Sequence, residues 1–176
     1  LKIVWGITGS GDLLSETFEV MSELTKMRDF EITVVLSNAA VKVVKWYRLW
    51  DKLSGIAGKV LVEDDANTPF IVGALQTGKF KCLLIAPATA NSVAKIVNGI
   101  ADTIITNAVA QANKANVDIY ILPVDQRKGT ITTILPTGER LELKIRDVDV
   151  ENTGKLRRMK GIRVLERPDE IKTVLS

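Results

Sequence analysis

Residues 86–112 read APATANSVAKIVNGIADTIITNAVAQA and follow an apolar run, CLLIA, at positions 82–86. A short apolar run bounded by proline reads as a buried strand, and the spacing after it is helical. The stretch is therefore a strand, a polar turn and a helix start. Thr89, Asn91 and Ser92 bring hydroxyl and amide groups to that turn, and the first turn of the helix adds unpaired N–H groups at its positive dipole end. Such a turn suits a phosphate or a planar heterocycle. The plainer reading is a capped helix, but the pattern runs longer than a cap requires.

Working outward, KIVWGIT at 2–8 is a second buried strand, closed by Gly9, Ser10 and Gly11, and a helical pattern starts near Asp12 with Leu13, Leu14, Phe18, Met21 and Leu24 on one face. Glycines let a ligand approach the backbone closely, and the helix start supplies donors, so this turn also suits a phosphate, although GITGSG is not the dinucleotide fingerprint. Asp12 favours the helix dipole and opposes a phosphate, so its side chain is expected to point away. A third strand, EITVVLS, ends at Ser37, which is either a helix N-cap or a ligand contact at the carboxyl end of a strand. The helix after it is expected to reach Trp50, with Trp46 and Trp50 on one face beside Tyr47.

KVLVE at 59–63, a solvated turn with Asp64 and Asp65, a helix from Pro69 to about Gln76 and a further strand, VDIYILP at 117–123, complete five β–α alternations. Alternation of this kind predicts an α/β fold: a doubly wound, mostly parallel sheet covered on both faces. Right-handed crossovers bring the turns after the first, second and fourth strands, counted along the chain, to one edge, where Gly9–Gly11, Ser37 and residues 87–92 converge. GTITTIL and RLELKIR, joined by Pro136-Thr137-Gly138-Glu139, predict a C-terminal β-hairpin. A helix from about Asp149, a short strand IRVL and a terminal helix PDEIKTVL follow.

Composition narrows the chemistry. A chain of 176 residues with 46% apolar residues suits a single domain, 1–176, and no run approaches a membrane span of about 20 residues. Neither a leader nor an anchor is expected, and a cytoplasmic location follows from that reading. There are 24 basic and 21 acidic residues, too even a balance to point to nucleic acid. The single cysteine, Cys82, excludes an internal disulfide and an iron–sulfur cluster held by this chain alone. Histidine is absent, which removes the commonest general base and the commonest zinc ligand. No metal site and no catalytic side chain is assigned. Lys155, Arg157, Arg158, Lys160, Arg163 and Arg167 form a basic segment, either a solvated face or a surface that steers an acidic partner.

The string PATANSVAKIVNGIADTIITN resembles the signature of the FMN-binding flavoproteins, which include cysteine decarboxylases and flavin prenyltransferases. Within that group the whole chain is similar to the archaeoflavoproteins, through KIVWGITGSGD, VVKWYRLW, LQTGK, RDVDVEN and GIRVLERPDEI. The resemblance implies a Rossmann-like, flavodoxin-like fold, bound FMN, and a site of Gly9, Ser10, Gly11, Ser37, Pro87, Ala88, Thr89, Ala90, Asn91 and Ser92. It implies that Ser37 contacts the FMN phosphate, that a ferredoxin-like protein donates electrons, and that the chain forms a homo-oligomer, dimeric or trimer-based. For Trp46, Tyr47 and Trp50, packing in the core or between subunits is expected over stacking on the flavin. The apolar helix from Ile104 to Ala112 is expected to share in that contact surface.

Departures from the family pattern narrow the activity. The decarboxylases use a histidine and a P-x-M-N segment, whereas this chain has no histidine and carries Pro123-Val124-Asp125-Gln126. The prenyltransferases place an arginine near Val124. The resemblance thus implies an electron-transfer flavoprotein, with a pterin reductase, such as one acting on dihydromethanopterin, as the alternative. A decarboxylase or a non-catalytic nucleotide-binding module ranks lower.

Overall fold

The computed structural model describes residues 1–27 and 29–175. The chain runs β1 (Lys2–Ile7), α1 (Leu14–Thr25), β2 (Glu31–Leu36), α2 (Asn38–Trp46), α3 (Trp50–Ile56), β3 (Lys59–Val62), α4 (Val72–Gln76) and β4 (Cys82–Ala88). It continues through α5 (Ala90–Val97), α6 (Ile104–Lys114), β5 (Asp118–Pro123), β6 (Thr130–Ile134), β7 (Arg140–Lys144), α7 (Asp147–Arg157), β8 (Ile162–Val164) and α8 (Glu170–Leu175).

Six strands form one parallel sheet in the order β3-β2-β1-β4-β5-β8. Strand order reverses between β1 and β4. The chain leaves these neighbours toward opposite sides, which opens a crevice at their carboxyl ends.

The two faces of the sheet are built by the alternation of its strands. Ile3, Trp5 and Ile7 of β1, with Leu84 and Ala86 of β4, pack under Leu14, Phe18 and Met21 of α1, Val44 of α2, Leu53 of α3 and Ile171 of α8. Val4, Leu83 and Ile85 face the other way, against Val93 of α5, Ile105, Ala108 and Val109 of α6, and Leu156 of α7. Both layers are dry enough that the indole N–H of Trp5 needs a partner, and it donates to the Ala86 carbonyl at 2.7 Å. Burying each large aliphatic side chain here contributes roughly 1.5–3 kcal/mol.

Four expectations need correction. The helix after Ser37 stops at Trp46, and α3 starts at Trp50, because Arg48 takes a left-handed conformation with φ 57° between them. Trp46 and Trp50 therefore lie on different helices. Pro69 follows a cis peptide bond outside α4, which begins at Val72. The apolar face of α6 is spent inside the chain: Ile104, Ile105, Ala108, Val109 and Ala112 are all buried in its own core. Finally, α1 begins after Leu13, whose φ of 59° breaks the helix and leaves it without a side-chain cap.

The hairpin β6–β7 is a separate antiparallel ribbon, pairing Ile131 with Leu143 and Thr133 with Leu141. Among the described residues, no helix is long and apolar enough to cross a membrane.

Candidate functional site

The crevice between β1 and β4 is set by one buried hydroxyl. Thr8 donates from its Oγ1 to the Pro87 carbonyl at 2.9 Å and accepts from the Thr89 amide at 2.8 Å, while its own amide donates to Pro87 at 3.2 Å. These bonds lock the turn after β1 to the turn after β4. Sequence reading passed over Thr8 because it falls within an apolar run.

On the first turn, Ser10 is buried, with its amide on the Thr8 carbonyl at 2.9 Å and its hydroxyl on the Asp12 carbonyl at 3.2 Å. Gly9 passes so close to α2 that a Cβ on it would lie 2.6 Å from the Ala39 Cβ. No larger residue fits there without moving the backbone. A Cβ on Gly11 would meet the Tyr47 hydroxyl. On the second turn, Thr89 caps α5: its Oγ1 accepts from the Ser92 amide at 3.2 Å and donates to the Ser92 hydroxyl at 3.0 Å. The Ala90 and Asn91 amides lie in the first helical turn and have no acceptor within the helix.

Between these turns lies a cleft of about 400 Å³. Gly9, Ser10, Gly11, Thr89, Ala90 and Asn91 line one end, with Val124 and Asp125 beside them. Val43, Trp46 and Tyr47 form a wall, and the hairpin closes the opposite side with Ile131, Thr133, Leu135, Leu141 and Leu143. The Tyr47 hydroxyl donates to the Ile134 carbonyl at 3.1 Å, which ties the hairpin to α2. Trp46 meets Tyr47 edge-on at 5.6 Å and is 52% exposed, so the pair lines the cleft, while Tyr47 and Trp50 also pack against the core as expected.

Not every expected residue reaches this cleft. Ser37 caps α2 through the Ala40 amide at 3.1 Å and lies outside the cleft lining. The neighbouring Asn38 amide is taken by Glu63 Oε2 at 2.9 Å, while Oε1 of the same carboxylate accepts from the Ile104 amide at 2.8 Å. Glu63 thus already supplies an anion to the start of α2. Pro87 and Ala88 lie in β4 behind the cleft, and Ser92 supports Thr89 from within α5.

The hairpin was expected from the sequence and is present, but its residues were not assigned to the site. Their signal was available, because Ile131, Thr133 and Leu135 alternate with more exposed neighbours and form an apolar face without a place in the main sheet.

A second cavity of about 580 Å³ adjoins the cleft, sharing Asp12, Val124 and Ile131 with it. Leu13, Ile145, Gln126, Arg127, Glu166, Arg167 and Glu170 complete it. Asp12 is half-buried on the common wall, which corrects the expectation that it turns away. Burial, then Glu16 and Asp125, push its carboxyl above the ordinary aspartate range. Asp125 is raised as well, by burial and then Asp149, against a smaller lowering by Arg146. Burial and then Asp12 raise the Tyr47 phenol, so it stays a neutral donor. The nearby Gln126 amide donates to the carbonyls of Pro123 and Leu165 at 2.8 and 3.0 Å, and its oxygen accepts from Arg157 at 2.8 Å.

The basic segment is less exposed as charge than its sequence suggests. Arg157 faces Glu166 at 3.7 Å, and Arg167 pairs with Asp169 at 3.2 Å and lies 3.9 Å from Glu170.

Known proteins share this architecture. An uncharacterised protein of Methanocaldococcus jannaschii is 54% identical over 99% of this chain and 94% of its own. A dihydromethanopterin reductase (acceptor) of the same organism is 33% identical over 97% of this chain and 94% of its own. The crystal structure of Burkholderia xenovorans DmrB in complex with FMN, described as a cubic protein cage for redox transfer, superposes with a TM-score of 0.83. It is 31% identical and covers 99% of this chain and 92% of that one. The flavoprotein family model matches residues 1–175, so a crevice built by the turns after β1 and β4 comes with full-length kinship, and the chain belongs to the flavoprotein family.

Proposed function

We propose that this chain binds FMN non-covalently in the cleft and carries electrons between a donor and an acceptor. The observation that carries this reading is the juxtaposition, in one crevice, of a polar end suited to phosphate and an apolar slot suited to a planar ring. The residues fit the group. Gly9 gives close backbone access, the amides of Ala90 and Asn91 offer donors, and Ser10 and Thr89 add hydroxyls. Val43, Trp46, Leu135, Leu141 and Leu143 supply apolar surface. The phosphate belongs at the α5 end, where the Ala90 and Asn91 amides have no acceptor within the helix. Pro87, Ala88 and Ser92 hold that end in place, and Ser37 acts through α2. FAD is expected to bind more weakly, because the phosphate end is walled by the two turns. The similar Burkholderia protein, crystallised with FMN, supports the same cofactor.

FMN supplies one- and two-electron chemistry of its own. The chain's contribution is to orient the ring, exclude water with the hairpin and hold protons at Asp12 and Asp125. The absence of histidine speaks against the decarboxylase chemistry of the resembled family.

Two electron partners follow. A ferredoxin-like donor would meet the basic residues Lys155, Arg158, Lys160 and Arg163, and the rate should fall with salt as the screening length shrinks from about 10 Å at 0.1 M to about 3 Å at 1 M. A pterin acceptor is favoured by the reductase at 33% identity and by the cavity joined to the cleft. Homo-oligomers are expected, with Trp46 and the hairpin leucines as contact surface.

The test is the visible spectrum after reconstitution with excess FMN, followed by stopped-flow reduction with ferredoxin at several salt concentrations. A colourless protein would refute the cofactor. A salt-independent rate, unchanged by reversal of Arg158 and Lys160, would refute the donor.

A further inference from the structure

We propose that Asp12 is the acid of this site and that the adjoining cavity is where a proton-requiring acceptor, a planar heterocycle with a C=N bond, is bound and reduced. This rests on the flavin reading above and assigns the acceptor's place and its proton source.

Geometry comes first. The cavity adjoins the cleft, and Asp12 is the ionisable side chain among the three residues that line both. A group in that position reaches molecules on both sides. The cavity is also the right kind of space: Leu13, Val124, Ile131 and Ile145 give it apolar walls for a flat ring, while Gln126 and Arg127 bring polar groups.

The surroundings of Asp12 then decide its protonation. Glu16 on α1 and Asp125 after β5 are both acidic, and Tyr47, just past the end of α2, is neutral. Asp125 in turn faces Asp149 and Arg146, but Arg146 is committed to Asp149 through two bonds of 2.8 Å. Across the cavity, Arg127 is held by Glu166 at 2.6 Å, and Arg167 lies near Asp169 and Glu170. Cations near the cavity are thus matched by carboxylates, and burial, Glu16 and Asp125 favour the neutral form of Asp12 against a lowering by its hydrogen bond from the Leu13 backbone. Without histidine in the chain, a carboxyl held neutral by burial and like charges is the natural proton donor.

The step balances as follows. Reduced FMN, when bound, would supply a hydride, losing one of its own N–H bonds as the carbon of the acceptor's C=N bond gains C–H with both electrons and the C=N bond becomes single. The O–H bond of Asp12 breaks as an N–H bond forms on the acceptor. Asp12 is left as a carboxylate and regains its proton from water at the cavity mouth.

The experiment uses the flavin-loaded protein and Asp12→Asn. Loading is checked first by flavin fluorescence, and failure of the wild type to load would refute the functional reading and not this assignment alone. The reduced protein is then oxidised by dihydrobiopterin, which needs a proton, and in parallel by ferricyanide, which needs none, from acid to alkaline pH. The ratio of the two rates should fall about 100-fold in Asp12→Asn, the usual scale of general-acid catalysis, and its decline at alkaline pH should vanish. Asp12→Glu should recover part of the ratio. Carbon NMR of the wild-type protein without flavin should show the Asp12 carboxyl titrating above the ordinary aspartate range. A wild type that loads flavin but does not reduce the pterin overturns the assignment. So does an unchanged ratio, or an ordinary Asp12 titration.

Discussion

β4 and β7 are both extended strands that carry leucines, yet all seven residues of β4 are buried and all five of β7 are exposed. β4 has a strand on each side and helices on both faces, so every side chain it carries is matched within the chain. β7 has one neighbour, β6, and its inward Leu141 and Leu143 look across a cleft that the chain does not fill. A two-stranded ribbon of this kind is marginal alone. The fold is thus strong where the sheet supports itself and weak where the site is completed, as is usual for segments that close over ligands.

The sharpest way to break this contrast is Leu84→Ala in β4. It should lower the unfolding free energy by about 2–5 kcal/mol in a denaturant titration. Gly9→Ala comes next, because its new methyl would lie 2.6 Å from the Ala39 Cβ. An overpacking cost of about 1–3 kcal/mol is expected, together with weaker FMN binding by fluorescence titration.

Tyr47→Phe removes the bond to Ile134 and should cost about 0.5–1.5 kcal/mol at most, since the bond is exposed. Its signature is faster amide exchange confined to the hairpin.

Asp12→Asn tests the site's charge. The folded chain holds the Asp12 proton at pH values where the unfolded chain has lost it. The contribution of Asp12 to stability is therefore greatest below the ordinary aspartate pKa and falls as pH rises through the raised one. The variant should flatten part of that fall in thermal midpoints measured across the acid range.

Smallest of all is Leu143→Ala, at about 0.5 kcal/mol or less for the protein without cofactor. If it destabilised the fold as much as Leu84→Ala, the distinction between the two strands would collapse.

How legible these regions were in sequence follows the same divide. Ile3, Trp5 and Ile7 alternate with Val4 in a way that only a strand between two layers requires, and five such strands dictate the topology and the convergence of its turns. The signals that failed were tertiary. Arg48 adopts a left-handed turn that a glycine or asparagine would have advertised, so one helix was expected where there are two. The apolar face of α6 looked like an interface, because hydropathy does not say whether a helix turns inward or outward. Asp12 was expected to turn away on the strength of the phosphate alone, without the second cavity that gives it a neighbour on the other side. The hairpin's place over the cleft depends on Tyr47, far away in sequence, and no local pattern encodes that pairing.

The hydroxyl of Thr8 bridges partners 79 and 81 residues downstream, and the hairpin that closes the cleft lies later still. During synthesis, the first turn leaves the ribosome long before its counterpart exists, at about 5–20 residues per second. No amino-terminal fragment that ends before Thr89 contains both turns of the crevice, and none that ends before Lys144 contains the whole cleft. Capture of FMN in the complete cleft is therefore expected only after the residues that pair β1 with β4 have long been made.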